Sequence, residues 1–296
     1  MSSPVTPSAL VSTQWLADHL GSDNLVTLDA TIYPVTVAGG GREWRSGYDG
    51  YLVAHVPGAV FADLIQDFSD PEGSWGFARP SAAQFERAAA AVGIDNDTTV
   101  VIYDASIGQW AARLWWLFRS FGYDAVAVLD GGLVKWHAEE RPSDDGAVEL
   151  VSVAGFTAVP RPELWVDRAF VQSVVAGTTD AVLVCSLPAD EFSGRSDLRP
   201  RRGHIPGSAS LPSARLVDAD SNAFLRGDEL QERLAPVLAP VLSGAATRVV
   251  TYCGSGIAAS LGALMLTLAG TERVSIYDGS LNEWAADDDA PLLITA

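Results

Sequence analysis

The sequence predicts an α/β chain of two tandem domains, each a mostly parallel sheet flanked by helices. Three observations carry this. First, motifs recur in the same order. His55-Val-Pro-Gly-Ala answers His204-Ile-Pro-Gly-Ser, and Val100-Val-Ile-Tyr-Asp104 answers Val249-Val-Thr-Tyr-Cys253. Asp130-Gly-Gly-Leu-Val-Lys-Trp136 answers Asp278-Gly-Ser-Leu-Asn-Glu-Trp284. Second, the intervals agree: 49 residues separate both His55 from Asp104 and His204 from Cys253, and 26 against 25 separate the last two motifs. Third, short β-branched runs alternate with longer apolar stretches of helical length.

In each copy the elements follow in order. Val100–Tyr103 and Arg248–Tyr252 read as strands buried on both faces. A Gly-containing turn leads from each into an apolar helix, 109–121 in one and 258–268 in the other. A further strand follows, 126–129 or 274–277, and ends in an Asp-Gly turn. Strand, helix, strand in that order implies right-handed crossovers and a parallel sheet covered by helices. The stretch from Arg141 to Pro162, with Pro142 and Pro160 inside it, has linker composition. The expected division is a first domain at 1–145, a linker at 146–160 and a second domain at 161–296.

Composition bounds the function. With 37 acidic against 19 basic residues, the 296-residue chain carries a formal net charge of -18. Such a field repels nucleic acid and anionic membrane, so neither is an expected partner. Residues 1–20 lack a basic start and a long apolar core, and 257–270 is too short to span a bilayer. Two cysteines, Cys185 and Cys253, make no disulfide framework. A cytoplasmic protein with reduced thiols is the expectation.

The chemistry is expected where the copies diverge. At the strand-to-helix turn the first copy has Asp104 and the second has Cys253. The loop Cys253-Gly254-Ser255-Gly256-Ile257-Ala258 runs straight into a helix, whose unpaired N–H groups form a positive end. Gly254 and Gly256 let the backbone curl so that several N–H groups point inward as an anion cradle. Helix starts of this kind stabilise thiolates, the form in which cysteines are nucleophilic. Ser255 reads as a hydrogen-bond donor to the reacting group or as a helix cap. A cysteine-based phosphatase needs Arg six positions after the Cys to hold a phosphate dianion, and Ala259 stands there.

Other candidates read more plainly. His55 and His204 precede Pro-Gly turns and are expected to tie backbone, with His55 also a candidate to line a cleft. His19 and His137 read as helix or helix-end residues, and Cys185 as a core strand residue. Gly39-Gly-Gly41 is a loop without the Lys-Ser/Thr of a phosphate-binding loop. No Cys/His spacing suggests a metal, and no cofactor is expected. Most of the nine Trp read as core.

On these residues the chain resembles the two-domain rhodanese-like sulfurtransferases. The likeness spans essentially the whole chain. It rests on the paired His-x-Pro-Gly motifs, Trp115-Trp116 followed by Leu129-Asp-Gly-Gly-Leu, the Tyr277-Asp-Gly-Ser turn with Trp284, and a loop cysteine in the second copy alone. In that family the first domain is catalytically silent and commonly carries Asp where Asp104 stands. The loop is similar to the Cys-Gly-Ser-Gly-Val-Thr of 3-mercaptopyruvate sulfurtransferases. Thiosulfate-preferring members usually carry a cation two places after the Cys, where this chain has Ser255. The resemblance implies that Cys253 takes a sulfane sulfur from a small anionic donor as a persulfide. 3-Mercaptopyruvate is slightly favoured over thiosulfate. The sulfur then passes to a thiol (thioredoxin-like or low-molecular-weight) or to cyanide. A non-catalytic or carrier module acting through a protein partner is the alternative.

Two departures stand out. Members usually open the second domain with an Asp-x-Arg strand end and then an Arg-Phe pair that helps bind the donor. Here the strand reads Val184-Cys185-Ser186-Leu187, and Glu191 precedes Phe192. A carboxylate at 191 is expected to repel an anionic donor. The cluster Arg195, Arg199, Arg201 and Arg202 is the substitute, with Arg199 and Arg201 the better candidates. In the first domain, Phe77 stands where mercaptopyruvate enzymes often place a His, while Asp63 matches an Asp of the family's motif and is, with His55, a candidate substrate-binding residue.

Overall fold

The computed structural model describes residues 6, 8–37, 42–149, 153 and 155–295. Gly39-Gly-Gly41 and residues 150–152 and 154 of the expected linker lie outside them. Two compact units emerge. One comprises Met1–Gly73, Arg79–Arg161 and Ala219–Phe224; the other comprises Ser74–Ala78, Pro162–Asp218 and Leu225–Ala296.

The first unit runs β1 (Leu10–Val11), α1 (Thr13–His19), β2 (Leu25–Asp29), β3 (Ile32–Thr36), β4 (Arg42–Ser46), α2 (Tyr48–Val53) and β5 (Val60–Phe61). It continues with α3 (Ala82–Ala91), β6 (Thr99–Tyr103), α4 (Gln109–Ser120), β7 (Val126–Leu129) and α5 (Gly132–Ala138). Its main sheet has the order β1-β7-β6-β2-β5, parallel throughout. The second unit runs β8 (Trp165–Val166), α6 (Arg168–Val175), β9 (Val182–Cys185), α7 (Ala189–Ser193) and β10 (Ala209–Ser210). Then come α8 (Gly227–Leu242), β11 (Val249–Tyr252), α9 (Ile257–Leu268), β12 (Val274–Tyr277) and α10 (Ser280–Trp284). Its sheet order, β8-β12-β11-β9-β10, is the first unit's order strand for strand, again all parallel. The expected tandem α/β architecture is therefore observed.

The repeated motifs hold the same joints in both units. Tyr103, at the end of β6, accepts the Val56 N–H on its hydroxyl at 3.2 Å; Tyr252, at the end of β11, accepts the Ile205 N–H at 3.0 Å. Each bond locks the turn after a His onto the central strand. Trp136 and Trp284 are both buried and donate their indole N–H to the Pro142 and Pro291 carbonyls. Truncating a Trp so enclosed costs about 3–5 kcal/mol.

Helices α4 and α9 shield the central strands. In α4, Trp110, Trp115, Trp116 and Phe118 are essentially inaccessible. Helix α9 is apolar nearly all round, as befits a helix buried on most faces. At Gly262 it approaches the sheet so closely that a Cβ would press on the Ser186 hydroxyl.

Two features were not anticipated. An antiparallel hairpin, β3–β4, is added to the first unit and has no counterpart in the second among the described residues. The described end of the linker is bonded along the first unit: Phe156 is buried, Val159 N–H donates to the Phe121 carbonyl and Arg161 N–H to that of Ser120. Among the described residues no helix is long and apolar enough to cross a membrane.

Candidate active site

The first unit shows what its strand-to-helix turn is built to hold. Asp104, at the end of β6, is fully buried. Its Oδ1 accepts N–H bonds from Ser106 and Gly108 at 2.8 and 3.0 Å, and its Oδ2 from Trp110 and Ala111 at 2.9 and 3.0 Å. One carboxylate thus satisfies donors that the start of α4 would otherwise leave unpaired. Burial pushes its pKa up, against the pull of the four N–H groups, which favour the charged form.

The second unit presents the same turn with a thiol in place of the carboxylate. Cys253 follows β11, and α9 begins after Gly256, whose φ of 81° matches the 85° of Gly108 before α4. Both glycines sit in the left-handed region that side chains disfavour. The turn is one residue shorter here, three from Cys253 to Gly256 against four from Asp104 to Gly108. This accounts for the unequal spacings of 25 and 26 noted above. By position in the turn, Gly256, Ala258 and Ala259 are the counterparts of Gly108, Trp110 and Ala111. Ser255 is half-buried in the turn.

Two residues that sequence reasoning missed hold this loop. The Cys253 N–H donates to the Ser280 hydroxyl at 3.1 Å, and that hydroxyl donates to the Tyr277 carbonyl at 2.8 Å. Ser280 has φ of 49°, an uncommon conformation for a residue with a side chain; its first-unit counterpart is Gly132, at 54°. Asn282 donates its N–H to the Gly254 carbonyl at 2.9 Å and accepts from Arg199 Nη1 at 2.9 Å. Both belong to the repeated Asp-Gly motif. Its recurrence was the signal, although nothing in it distinguished a loop support from a turn.

The arginine cluster divides by task. The Arg199 guanidinium lies over Gly254, where any side chain would collide with it. Arg201 instead bonds three carbonyls, with Nη1 directed at Ala285 and Asp287 and Nη2 at Ala290. It staples the segment after α10. Arg195 and Arg202 are exposed. Glu191 is not a bare negative charge beside the site: its Oε2 lies 3.5 Å from Arg199 Nε. The repulsion expected from this carboxylate is offset by that pairing. Leu187 is buried in the second unit.

The first-unit candidates occupy other settings. His55 is fully buried, stacks on Tyr51 and donates from Nδ1 to the Tyr51 carbonyl at 2.8 Å. His204 does the same with Phe192, its Nδ1 meeting the Phe192 carbonyl at 2.8 Å. Both also pair backbone, with Asp144 and Leu293 respectively. Asp63 caps its own turn, its Oδ1 accepting from the Ile65 and Gln66 N–H groups.

Strand register equates Asp29 with Cys185, since each lies beside the motif tyrosine, Tyr103 or Tyr252. Burial pushes the Asp29 carboxyl up to about 6 and the Cys185 thiol up to about 12. Cys185 is therefore held as a neutral core group next to the strand that carries Cys253.

A model of the rhodanese-like domain matches residues 12–139 and again 180–287. The 3-mercaptopyruvate sulfurtransferase of Escherichia coli strain K12 is 32% identical over 294 residues, 95% of this chain and 96% of that one. The Homo sapiens protein of the same name is 34% identical over 295 residues, covering 96% and 94%. Among solved structures, SseA from Escherichia coli, described by its rhodanese fold and as a 3-mercaptopyruvate sulfotransferase, superposes with a TM-score of 0.79. That match has 29% identity and covers 92% of this chain and 98% of the other.

Proposed function

The chain belongs to the rhodanese-like family and is a sulfurtransferase with two such domains, and from that premise we propose that Cys253 carries the transferred sulfur as a persulfide. One observation supports this above the others. The turn that clasps a carboxylate with four N–H groups in the first unit holds a cysteine in the second. A cradle made for an anion suits a thiolate before transfer and a persulfide after it.

The donor we favour is 3-mercaptopyruvate, ahead of thiosulfate. The Cys253 thiolate attacks the donor sulfur and a sulfur–sulfur bond forms. The carbon–sulfur bond breaks, its electron pair stays with carbon, and the donor's thiol proton ends on that carbon. The keto acid departs and the persulfide remains. Arg199 is the residue proposed to receive the donor carboxylate. Ser255 donates a hydrogen bond toward the leaving group. A thiol of low molecular weight or of a thioredoxin-like protein, or cyanide, then takes the outer sulfur and regenerates the thiolate. His55 and Asp63, buried or capping their own turns, serve the first unit's structure in this reading. The cytoplasm, where thiols stay reduced, is the compartment proposed.

Incubation with donor is expected to add one sulfur, about 32 Da, to the intact protein, and Cys253→Ser to abolish the gain. A wild-type mass unchanged by either donor would leave a module without donor chemistry and defeat the proposal. Arg199→Ala is expected to raise the donor KM about tenfold or more, the loss of a charge-assisted contact.

A further inference from the structure

We infer that Glu191 sets the charge of donor that the site accepts, by partly neutralising the arginine that receives it. This rests on the reading of Cys253 as sulfur carrier and refines its donor class. The Arg199 guanidinium has three distinguishable ends. Nη1 is held by Asn282 Oδ1 at 2.9 Å, and Nε faces Glu191 Oε2 at 3.5 Å. Nη2 is the nitrogen closest to Gly254, one residue from Cys253. Among the described residues no acceptor meets Nη2. Glu191 is the more enclosed partner, its side chain 12% exposed against 29% for Arg199. A small surface recess opens beside the pair, lined also by Ser196, Leu198 and Arg202.

The arrangement therefore offers an arriving anion a guanidinium whose charge is already half answered. Leu187 is buried and Glu191 acidic, and Arg199 is the cation whose guanidinium lies over Gly254 of the loop. One negative charge can be matched by the exposed edge of the guanidinium. A second meets the Glu191 carboxylate, and the other cation of the recess, Arg202, is exposed to water that screens it. A donor with a single carboxylate, such as 3-mercaptopyruvate reacting as its thiol, fits this balance; the thiosulfate dianion does not. Across about 6 Å of partly wet protein, one extra unit of repulsion is worth roughly tenfold in binding. Glu191 acts through Arg199 and is thus a positioning residue whose signature is a donor ratio.

The test measures kcat and KM for both donors in wild type, Glu191→Gln and Glu191→Asp at low and high salt. Neutralisation in Glu191→Gln is expected to raise kcat/KM for thiosulfate relative to 3-mercaptopyruvate about tenfold, mainly through KM, with the gain shrinking as salt rises. Glu191→Asp is expected to restore the wild-type ratio. A ratio that stays within twofold in Glu191→Gln, while Cys253 still takes up sulfur, would overturn the inference. Failure of wild type to take sulfur from either donor would instead overturn the function on which it rests.

Discussion

The amide of Cys253 is bonded to the hydroxyl of Ser280 at 3.1 Å, and Ser280 holds that pose at a φ of 49°. A residue with a side chain in this region stores strain that its surroundings must offset, and here the offset is a buried two-bond relay from Cys253 through Ser280 to Tyr277. Ser280→Ala leaves the Cys253 N–H without its acceptor and is expected to cost about 1–3 kcal/mol. Ser280→Gly relaxes the backbone but also loses the hydroxyl, so it should recover only part of that cost. Thermal unfolding and the rate of sulfur uptake check both; equal stability of wild type and Ser280→Ala would show that the relay carries no weight.

Asp104 should behave as a structural anion. Asp104→Ala leaves four N–H groups, three of them buried, without their acceptor and is expected to lower stability by about 2–4 kcal/mol. Asp104→Asn retains one acceptor oxygen and should fall between. Chemical denaturation measures the loss, and intact mass should still record donor sulfur on Cys253 in the folded fraction.

The Asp29 carboxyl, pushed up to about 6 by burial, makes stability depend on pH in a defined direction. The folded state binds this proton more tightly than the unfolded chain, where the group titrates near its ordinary value of 3.8. Its contribution is complete below pH 4 and is lost as pH rises through about 6. Asp29→Asn keeps an oxygen to accept the Thr31 N–H and removes the ionisation. Relative to wild type it should gain up to about 3 kcal/mol between pH 4 and 7.5. A difference that does not vary over that range would refute the assignment.

The two cysteines should separate in reactivity. With its thiol pushed up to about 12 by burial, Cys185 is ionised in roughly one molecule in ten thousand at pH 8. Iodoacetamide is expected to label Cys253 in the native protein and Cys185 only after unfolding. Peptide mass analysis reads this directly, and native labelling of Cys185 would show that the core does not hold its thiol neutral and enclosed.

Arg201→Ala should weaken the fold while sparing donor recognition. Losing the guanidinium frees the carbonyls of Ala285, Asp287 and Ala290, at a cost of about 2–3 kcal/mol. A donor KM unchanged within twofold, beside a lowered Tm, is the expected pair of results. A raised KM with unaltered Tm would return Arg201 to the donor site.

The duplicated architecture was legible in the sequence because each copy repeats short motifs whose spacing is set by local geometry. A strand of fixed rise, a turn and a helix of fixed length place Asp104 and Cys253 at one structural address, whatever surrounds them. Divergence at that address was enough to single out Cys253. The identical strand orders then follow from the shared crossover rule. The hairpin β3–β4 escaped notice because it belongs to one copy and so left no echo in the other.

What surrounds Cys253 could not be read in the same way. Arg199 and Arg201 are two places apart on one loop and look alike in sequence. Yet one guanidinium lies over Gly254 while the other closes on the carbonyls after α10. Glu191 looked like a repulsive charge because its partner, eight positions on, is met only when the loop folds back. Ser280 and Asn282 reach the cysteine loop across 27 and 28 residues of chain. Motif and spacing report on bonds within a turn or a strand, whereas the pairing of charges depends on where long, flexible side chains end. That choice is made by the packing of distant segments, so the sequence located the cysteine and the fold chose its neighbours.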